Sequence, residues 1–146
     1  MTPQQVRLIQ ATFAQVEPIS ETAAALFYDR LFTLDPSLRH LFNGDMQDQG
    51  RKLMQMLAVA VRGLEDLDRL VPAVRALGAR HSGYGVTPGH YSTVATALLW
   101  TLEQGLGDAF TQEARDAWTT VYGILAGTML ARAADAEADS PIARIA

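Results

Sequence analysis

Apolar residues recur along this chain at steps of three and four, and long stretches of strict apolar–polar alternation are absent. This spacing predicts amphipathic α-helices, because side chains three and four positions apart share one helix face. We expect six or seven helices and no strand, which is an all-α domain. The residues that mark the predicted buried faces are Val6, Ile9, Phe13 and Val16; Ala24, Phe27, Leu31 and Leu34; Leu53, Leu57, Ala60 and Leu64; Leu67, Leu70, Val74, Leu77 and His81; Tyr91, Val94, Leu98 and Leu102; and Ala114, Trp118, Val121, Leu125 and Thr128.

Proline, glycine and capping residues mark the ends of these helices. The Thr-Pro-Gln-Gln run at positions 2–5 has the pattern of a capping box with proline at the first helical position. Ser20 is the expected N-cap of the second helix, a short element begins with the Asp-Pro pair at positions 35–36, and Thr111 opens the last helix. Gly107 is expected to close the helix before it. We place one domain over residues 1–134 and a flexible tail over 135–146.

Composition and charge narrow the classes of function. A chain of 146 residues is the size of a single domain. It contains no cysteine, which excludes disulfides, thiolate metal sites and cysteine nucleophiles. A net charge of −4 without a basic stripe argues against nucleic acid and anionic membrane as partners. The first residues lack the pattern of a signal peptide and no apolar run is long enough to cross a bilayer, so we expect a cytoplasmic protein.

Three histidines are the main candidates for chemistry, because the common sequence motifs of enzymes are absent. His90 follows a helix-start signal and His40 lies beside an arginine, so we expect both at the surface. His81 continues an apolar helix face and should point into the core. On spacing alone it is either a core histidine with hydrogen-bonded ring nitrogens, the commoner case, or a metal ligand. With no second histidine, cysteine or carboxylate cluster nearby, a metal on His81 would need a macrocycle, which favours haem over zinc.

Four segments resemble the globin family, in the right order along the chain. Residues 34–42, LDPSLRHLF, resemble the run around the phenylalanine that packs on the haem. Residues 51–54 (RKLM), 77–86 (LGARHSGYGV) and 117–123 (AWTTVYG) resemble the distal, proximal and last-helix segments. The resemblance covers roughly residues 2–132 and is strongest to single-domain bacterial haemoglobins and neuroglobin-like globins. It implies a globin fold of six to eight helices around a pocket for haem b, iron protoporphyrin IX.

The resemblance also implies roles for individual residues. His81 matches the proximal iron ligand and Phe42 the residue that wedges the haem. Tyr28 and Gln49 match positions above the distal face of the iron. Taken without the family, Tyr28 is as readily a packing aromatic, and Gln49 is a surface residue. Further positions that match haem contacts are Lys52, Leu53, Leu77, Arg80, Val86 and Tyr91. The two cationic residues match positions that can reach the propionates, and both are as readily solvated charges.

The first functional interpretation is a gas-binding protein. The resemblance implies a penta-coordinate ferrous iron that binds O2, CO and NO reversibly. Hydrogen bonds from Tyr28 and Gln49 would each stabilise O2 by on the order of 1–3 kcal/mol in a dry pocket, so we expect high affinity and slow release. Glutamine binds iron far more weakly than imidazole, so the bis-histidine state of neuroglobins is not expected. We expect a monomer or weak homodimer that stores, scavenges or delivers oxygen.

The alternative interpretation is an enzyme. A Tyr–Gln distal pair also resembles flavohaemoglobins, which convert NO and O2 to nitrate. The chain has no recognisable flavin or nicotinamide domain, so turnover would need a separate reductase. In bacterial relatives a last-helix glutamate polarises the proximal histidine, whereas Ala133 takes that position here, which weakens the enzymatic interpretation. Tyr122 or a backbone carbonyl would then accept the ring N–H. A ligand sensor and a haem-free globin-fold scaffold are less favoured.

Overall fold

A computed structural model describes residues 1–42, 44–83 and 87–139, with side chains described for 1–42, 44–80, 87 and 89–129. These residues form six α-helices, joined in part by short 3₁₀ helices, and contain no strand, which confirms the all-α prediction. The helices are α1 (Pro3–Val16), α2 (Ser20–Leu34), α3 (Met46–Arg62), α4 (Leu67–Gly83), α5 (Pro88–Leu106) and α6 (Gln112–Asp139). The 3₁₀ helices are Glu17–Ile19, Pro36–Leu41, Gly63–Glu65 and Gly107–Ala109.

Capping side chains define several helix ends where the sequence predicts them. Thr2 Oγ1 accepts from the backbone N–H of Gln5 at 3.1 Å, and Gln5 Oε1 accepts from the backbone N–H of Thr2 at 3.0 Å. This reciprocal pair is the predicted capping box of α1. Thr111 Oγ1 accepts from the backbone N–H of Ala114 at 3.2 Å, as expected at the start of α6. Gly107 ends α5 with a φ of +55°, a left-handed conformation that favours glycine.

Two expectations at the ends of α2 are wrong. Ser20 is the first residue of the helix and does not cap it: Ile19 occupies the N-cap position, without a side-chain hydrogen bond. The reason is that the 3₁₀ turn Glu17–Ile19 leads directly into α2. The periodicity predicts that Leu34 faces inward, but it is 39% exposed, because it is the last residue of α2. The buried face ends one turn earlier, at Leu31, which is 2% exposed.

The core lies where α1, α2, α5 and α6 pack together. Trp118 of α6 is buried, and its ring lies 6.4 Å from that of Phe13 in α1. The indole N–H donates to Thr12 Oγ1 at 2.9 Å, and the Thr12 hydroxyl donates to the carbonyl oxygen of Leu8 at 2.8 Å. These buried polar atoms therefore have partners, as a stable core requires. Other core residues, all from the predicted faces, are Ile9, Phe27, Leu31, Leu98, Leu102 and Val121.

Two glycines allow pairs of helices to approach closely. A Cβ atom added to Gly50 of α3 would lie 2.9 Å from Ala24 Cβ of α2, which is inside normal contact distance. A Cβ atom added to Gly78 of α4 would overlap the backbone of Met129 in α6. Gly78 precedes His81 by three residues on α4. The contact of Gly78 with α6 therefore helps to position the last turn of α4, which carries His81.

The end of α6 bears on the domain boundary predicted from the sequence. Helix α6 continues to Asp139, so a boundary at residue 134 falls within it, and the flexible tail stays a prediction.

None of the helices in the described part of the chain combines the length and apolar character that a membrane span requires. The cytoplasmic location stays a prediction as well.

The contact at Gly78 generates a stability prediction. Gly78→Ala should lower the free energy of unfolding by about 1–3 kcal/mol, because the added methyl group meets backbone that cannot rotate away. Gly123→Ala is the matched control: a Cβ there meets no atom of the described residues within 4 Å, so alanine should stabilise α6 by about 0.5–1 kcal/mol. Urea denaturation followed by circular dichroism measures both. Equal changes in the free energy of unfolding for the two substitutions would contradict the close contact between Gly78 and Met129.

Candidate functional site

Tyr28 and Gln49 meet near the crossing of α2 and α3. Tyr28 lies four residues after Ala24 on α2, and Gln49 lies one residue before Gly50 on α3, so both side chains flank the close contact of these helices. Asp45 Oδ1 caps α3 by accepting from the backbone N–H of Gln47 at 2.9 Å, which fixes the turn that carries Gln49. Gln49 Nε2 then donates to the Tyr28 hydroxyl oxygen at 3.3 Å.

The direction of this hydrogen bond decides what Tyr28 can do. The amide nitrogen of Gln49 is the donor, so the Tyr28 oxygen is the acceptor and its own proton remains available. Burial raises the pKa of the Tyr28 phenol above its ordinary value of 10.0, and the hydrogen bond from Gln49 partly offsets this rise. Tyr28 is therefore a neutral hydrogen-bond donor at physiological pH.

Three aromatic rings hold Tyr28 in place. The Tyr28 ring meets Phe27 and Phe42 edge-on, with centroid distances of 5.0 Å and 5.4 Å, and stacks on Phe32 at 6.0 Å. Phe42 follows the 3₁₀ helix Pro36–Leu41, and the Arg39 guanidinium donates to its carbonyl oxygen at 2.8 Å. Because edge-on and offset contacts are the favoured geometries of aromatic pairs, the phenol has a defined orientation.

The structure thus brings three predicted site residues together: Tyr28, Gln49 and Phe42. Leu53 of α3 and Leu77 of α4 are half-buried, whereas Lys52 and Arg80 are exposed. His81 lies in the last turn of α4, but its side chain lies outside the described residues, and so does all of Val86. Ala133 lies in α6, and its side chain is likewise outside the described part.

Tyr91, which is buried, and Tyr122, which is half-buried, form a pair of phenols on α5 and α6. The Tyr122 hydroxyl donates to the backbone carbonyl of Tyr91 at 2.5 Å, while the buried Tyr91 hydroxyl has no hydrogen-bond partner among the described residues. Burial raises the pKa of both phenols, and for Tyr122 the proximity of Tyr91 raises it further. The Tyr91 hydroxyl can therefore form a hydrogen bond with a polar atom that is not part of the described structure.

Sequence reasoning missed some of these contacts and anticipated others. His40 is exposed, as predicted. His90 has a structural role that its position alone did not indicate: its Nδ1 accepts from the backbone N–H of Thr87 at 3.0 Å and completes a capping box on α5. The spacing Thr-x-x-His was the available signal, with histidine in place of the usual glutamate or glutamine. The described residues contain no group of three His, Cys, Asp or Glu side chains that could hold a metal ion.

Comparison with known proteins gives a consistent result. The family model described as Globin matches residues 25–129. The flavohemoprotein of Vibrio cholerae is 32% identical over 135 residues, covering 90% of this chain and 34% of the relative. That of Bacillus subtilis is 30% identical over 128 residues, covering 86% and 32%, and that of Bordetella parapertussis is 34% identical over 136 residues, covering 90% and 34%. The chain spans about a third of the length of these curated relatives.

A solved structure is similar over nearly the whole chain. It comes from Rhodothermus marinus and is named as an engineered carbene transferase and a nitric oxide dioxygenase, the latter assignment being provisional. The two chains are 27% identical and superpose with a TM-score of 0.84, covering 94% of this chain and 96% of the other. The similarity therefore extends to the fold as a whole.

The buried phenols generate a prediction for alkaline pH. Burial raises the pKa of Tyr28, Tyr91 and Tyr122 above 10.0 in the folded protein. The unfolded chain therefore ionises first, and stability present below pH 10 is lost as the pH rises through the folded pKa values. Denaturant titrations at a series of pH values should show this fall, and it should be shallower in Tyr28→Phe. Stability that is flat across this range would contradict the burial of these hydroxyls.

Proposed function

The chain belongs to the globin family, and from this premise we propose that it holds haem b and binds O2, CO and NO reversibly. When bound, haem supplies a ferrous iron with an open coordination position for a diatomic ligand. His81 would be the protein ligand to the iron. Oxygen binding, storage or scavenging is the function that the arrangement around Tyr28 supports best.

The residues of the described structure fit such a group. Phe42, Leu53, Leu77 and Val94 are apolar and only half-buried, so each retains surface that a flat apolar molecule could cover. Tyr91 contributes a buried hydroxyl whose hydrogen-bonding capacity no described residue uses. Lys52 and Arg80 are exposed and long enough to hold propionates at the edge of a haem while remaining in contact with water.

The hydrogen bond from Gln49 to Tyr28 is the observation that carries the proposal. Because Gln49 donates to the phenol oxygen, it orients Tyr28 and leaves the phenolic proton free for a ligand that develops negative charge. Tyr28 is buried and surrounded by aromatic rings, so water competes weakly for that proton. Tyr28 is then the direct donor to O2, and Gln49 acts chiefly as a positioning residue.

Substitution of the two residues tests these unequal roles. Tyr28→Phe keeps the ring contacts and removes the donor, so the O2 dissociation rate constant should rise by about tenfold to a hundredfold, equivalent to 1–3 kcal/mol. Gln49→Leu should have a smaller effect. CO dissociation, which involves a less polar ligand, is the internal control and should change little in either variant. Stopped-flow measurements on the haem-loaded protein give all these rates.

Measured results could contradict the proposal at two levels. A larger effect of Gln49→Leu than of Tyr28→Phe would reverse the assigned roles. Two results would refute haem binding through His81. In the first, the protein shows no absorption of bound haem after haemin is added and the excess is removed. In the second, the His81→Ala variant has the same ferrous spectrum as the wild type. The ligand-free ferrous protein is expected to be penta-coordinate, because no imidazole occupies position 49.

A second candidate function is nitric oxide dioxygenation. It is favoured by the flavohemoprotein relatives, by the name of the similar Rhodothermus marinus protein and by the Tyr28–Gln49 pair. In this reaction NO, O2 and one electron give nitrate, so sustained turnover needs a reductase that these 146 residues do not supply.

Kinetics distinguish an oxygen-binding protein from an enzyme. Mixing the oxygenated protein with NO should give one nitrate per haem in a single turnover for either function. Further nitrate requires that the ferric iron left by this reaction is reduced again, so the rate of that reduction is the discriminating measurement. A flavin-dependent reductase with a nicotinamide donor should reduce the ferric protein fast enough to sustain nitrate formation only for the enzyme. Nitrate that stops at one equivalent because the reductase does not reduce the ferric iron would exclude the dioxygenase function.

A further inference from the structure

Unpaired cationic side chains are concentrated on α3 and α4, the helices that carry two of the candidate site residues. Those that are exposed and form no ion pair with a described residue are Lys52 on α3 and Arg69, Arg75 and Arg80 on α4. Most other arginines of the described residues are engaged. Three of them pair with carboxylates, Arg39 donates to a backbone carbonyl and Arg30 lies over the Trp100 ring. Arg7 on α1 is the exception.

Acidic residues are missing from the same part of the chain. Residues 49–64 and 69–102 contain no aspartate or glutamate, although the chain has 16 acidic residues. Residues 103–116, by contrast, contain Glu103, Asp108, Glu113 and Asp116 and one arginine. Positive charge therefore collects next to the candidate site in a chain whose net charge is −4.

The three arginines of α4 are close enough to act together, and we call them the α4 cationic surface. At 1.5 Å per residue, Arg75 lies about 9 Å from Arg69 and about 8 Å from Arg80 along the helix axis, which is comparable with the Debye length at physiological ionic strength. Asp66 and Asp68 offset charge at the start of α4, where Asp66 Oδ1 accepts from the backbone N–H of Arg69 at 3.4 Å. No acidic residue lies within four positions of Arg75.

We propose that the α4 cationic surface docks the acidic face of a flavin-bearing electron-transfer protein that reduces ferric haem iron. This inference rests on the proposed haem binding, and these 146 residues supply no reductase of their own. One electron leaves the reduced flavin of the partner and reaches the ferric iron, which becomes ferrous. His81 lies in the last turn of α4, so docking there brings the donor to the helix that carries the proposed iron ligand.

The spread of the charges favours a protein surface over a small anion. From Arg69 to Arg80 the α4 cationic surface extends about 17 Å along the helix, so a small anion would meet one arginine at a time. An acidic protein face can approach all three. Because the arginines have no partners among the described residues, docking breaks no existing ion pair, and opposite charges accelerate association.

Reversal of one charge tests the docking. A flavodoxin, a small acidic flavin protein, is the probe. Arg75→Glu should lower the second-order rate constant for reduction of the ferric haem protein by reduced flavodoxin roughly three- to tenfold at low salt. Arg7→Glu is the matched control, since Arg7 is exposed on α1 and changes the net charge equally. Arg75→Lys keeps the charge and should keep the rate, and Arg69→Glu serves if Arg75→Glu folds poorly.

Salt dependence gives a second readout. The wild-type rate constant should fall at least about tenfold between about 10 mM and about 1 M salt, because the Debye length shrinks from about 30 Å to about 3 Å. The difference between the wild type and Arg75→Glu should disappear at the higher concentration. Anaerobic stopped-flow mixing under CO, which binds the ferrous product, measures these rates.

Two smaller donors separate docking from other causes. Reduced lumiflavin is uncharged and should reduce the wild type and Arg75→Glu at equal rates. Reduced FMN carries a phosphate but is small, so Arg75→Glu should change its rate much less than that of flavodoxin. An equal change for FMN and flavodoxin would replace the protein partner by a small anion, and an equal change for lumiflavin would show that Arg75 acts on the haem.

Other outcomes would overturn docking on α4. These are a flavodoxin rate that is unchanged in Arg75→Glu, one that falls equally in Arg7→Glu, and a wild-type rate that does not depend on salt. In each case reduction by lumiflavin would persist, so the proposed haem binding would stand. A protein that binds no haem would oxidise none of the three donors, which would refute the proposed function and this inference with it.

Discussion

The close crossing of α2 and α3 is the constraint on which the Tyr28–Gln49 part of the candidate site depends. Ala24 and Gly50 meet there with no room for a larger side chain. Tyr28 and Gln49 each lie within about one turn of this contact, so the separation of the helices sets the distance between phenol and amide. At 3.3 Å their hydrogen bond is already long, and any widening of the crossing would break it.

The same small residues account for the space around the site. Alanine and glycine allow the two backbones to approach, but on either side of the contact they leave volume that larger side chains would fill. That volume is a groove of about 430 Å³ between α2 and α3.

Much of the fold could be predicted from the sequence because local signals and packing agree. The capping box at Thr2, the end of α5 at Gly107 and the burial of Trp118 all follow from residue type and spacing. The errors at Ser20 and Leu34 occur at the ends of α2, where a preceding 3₁₀ turn and the chain reversal override the periodic pattern. Periodicity predicts which face is buried, but not where along the helix the burial stops.

The candidate site was predictable only in part. Residue types and the family resemblance could pair Tyr28 with Gln49, since both match distal positions. They could not indicate that the amide donates to the phenol, which depends on side-chain orientations set by the surrounding aromatic rings. The groove was not predictable either, because it arises between helices whose small residues individually look ordinary in a sequence.

The choice of phenol and carboxamide has a consequence for how the site responds to pH. An imidazole at position 49 would titrate near pH 6.5 and would gain a charge in mildly acidic conditions. A carboxamide does not titrate, and burial raises the pKa of Tyr28 further above the physiological range. The donor pair therefore keeps one protonation state from acidic to mildly alkaline pH. Under the proposed function, its hydrogen bonds to a ligand would depend on the geometry of the helix crossing, which the packing of Ala24 against Gly50 sets, and not on the proton concentration.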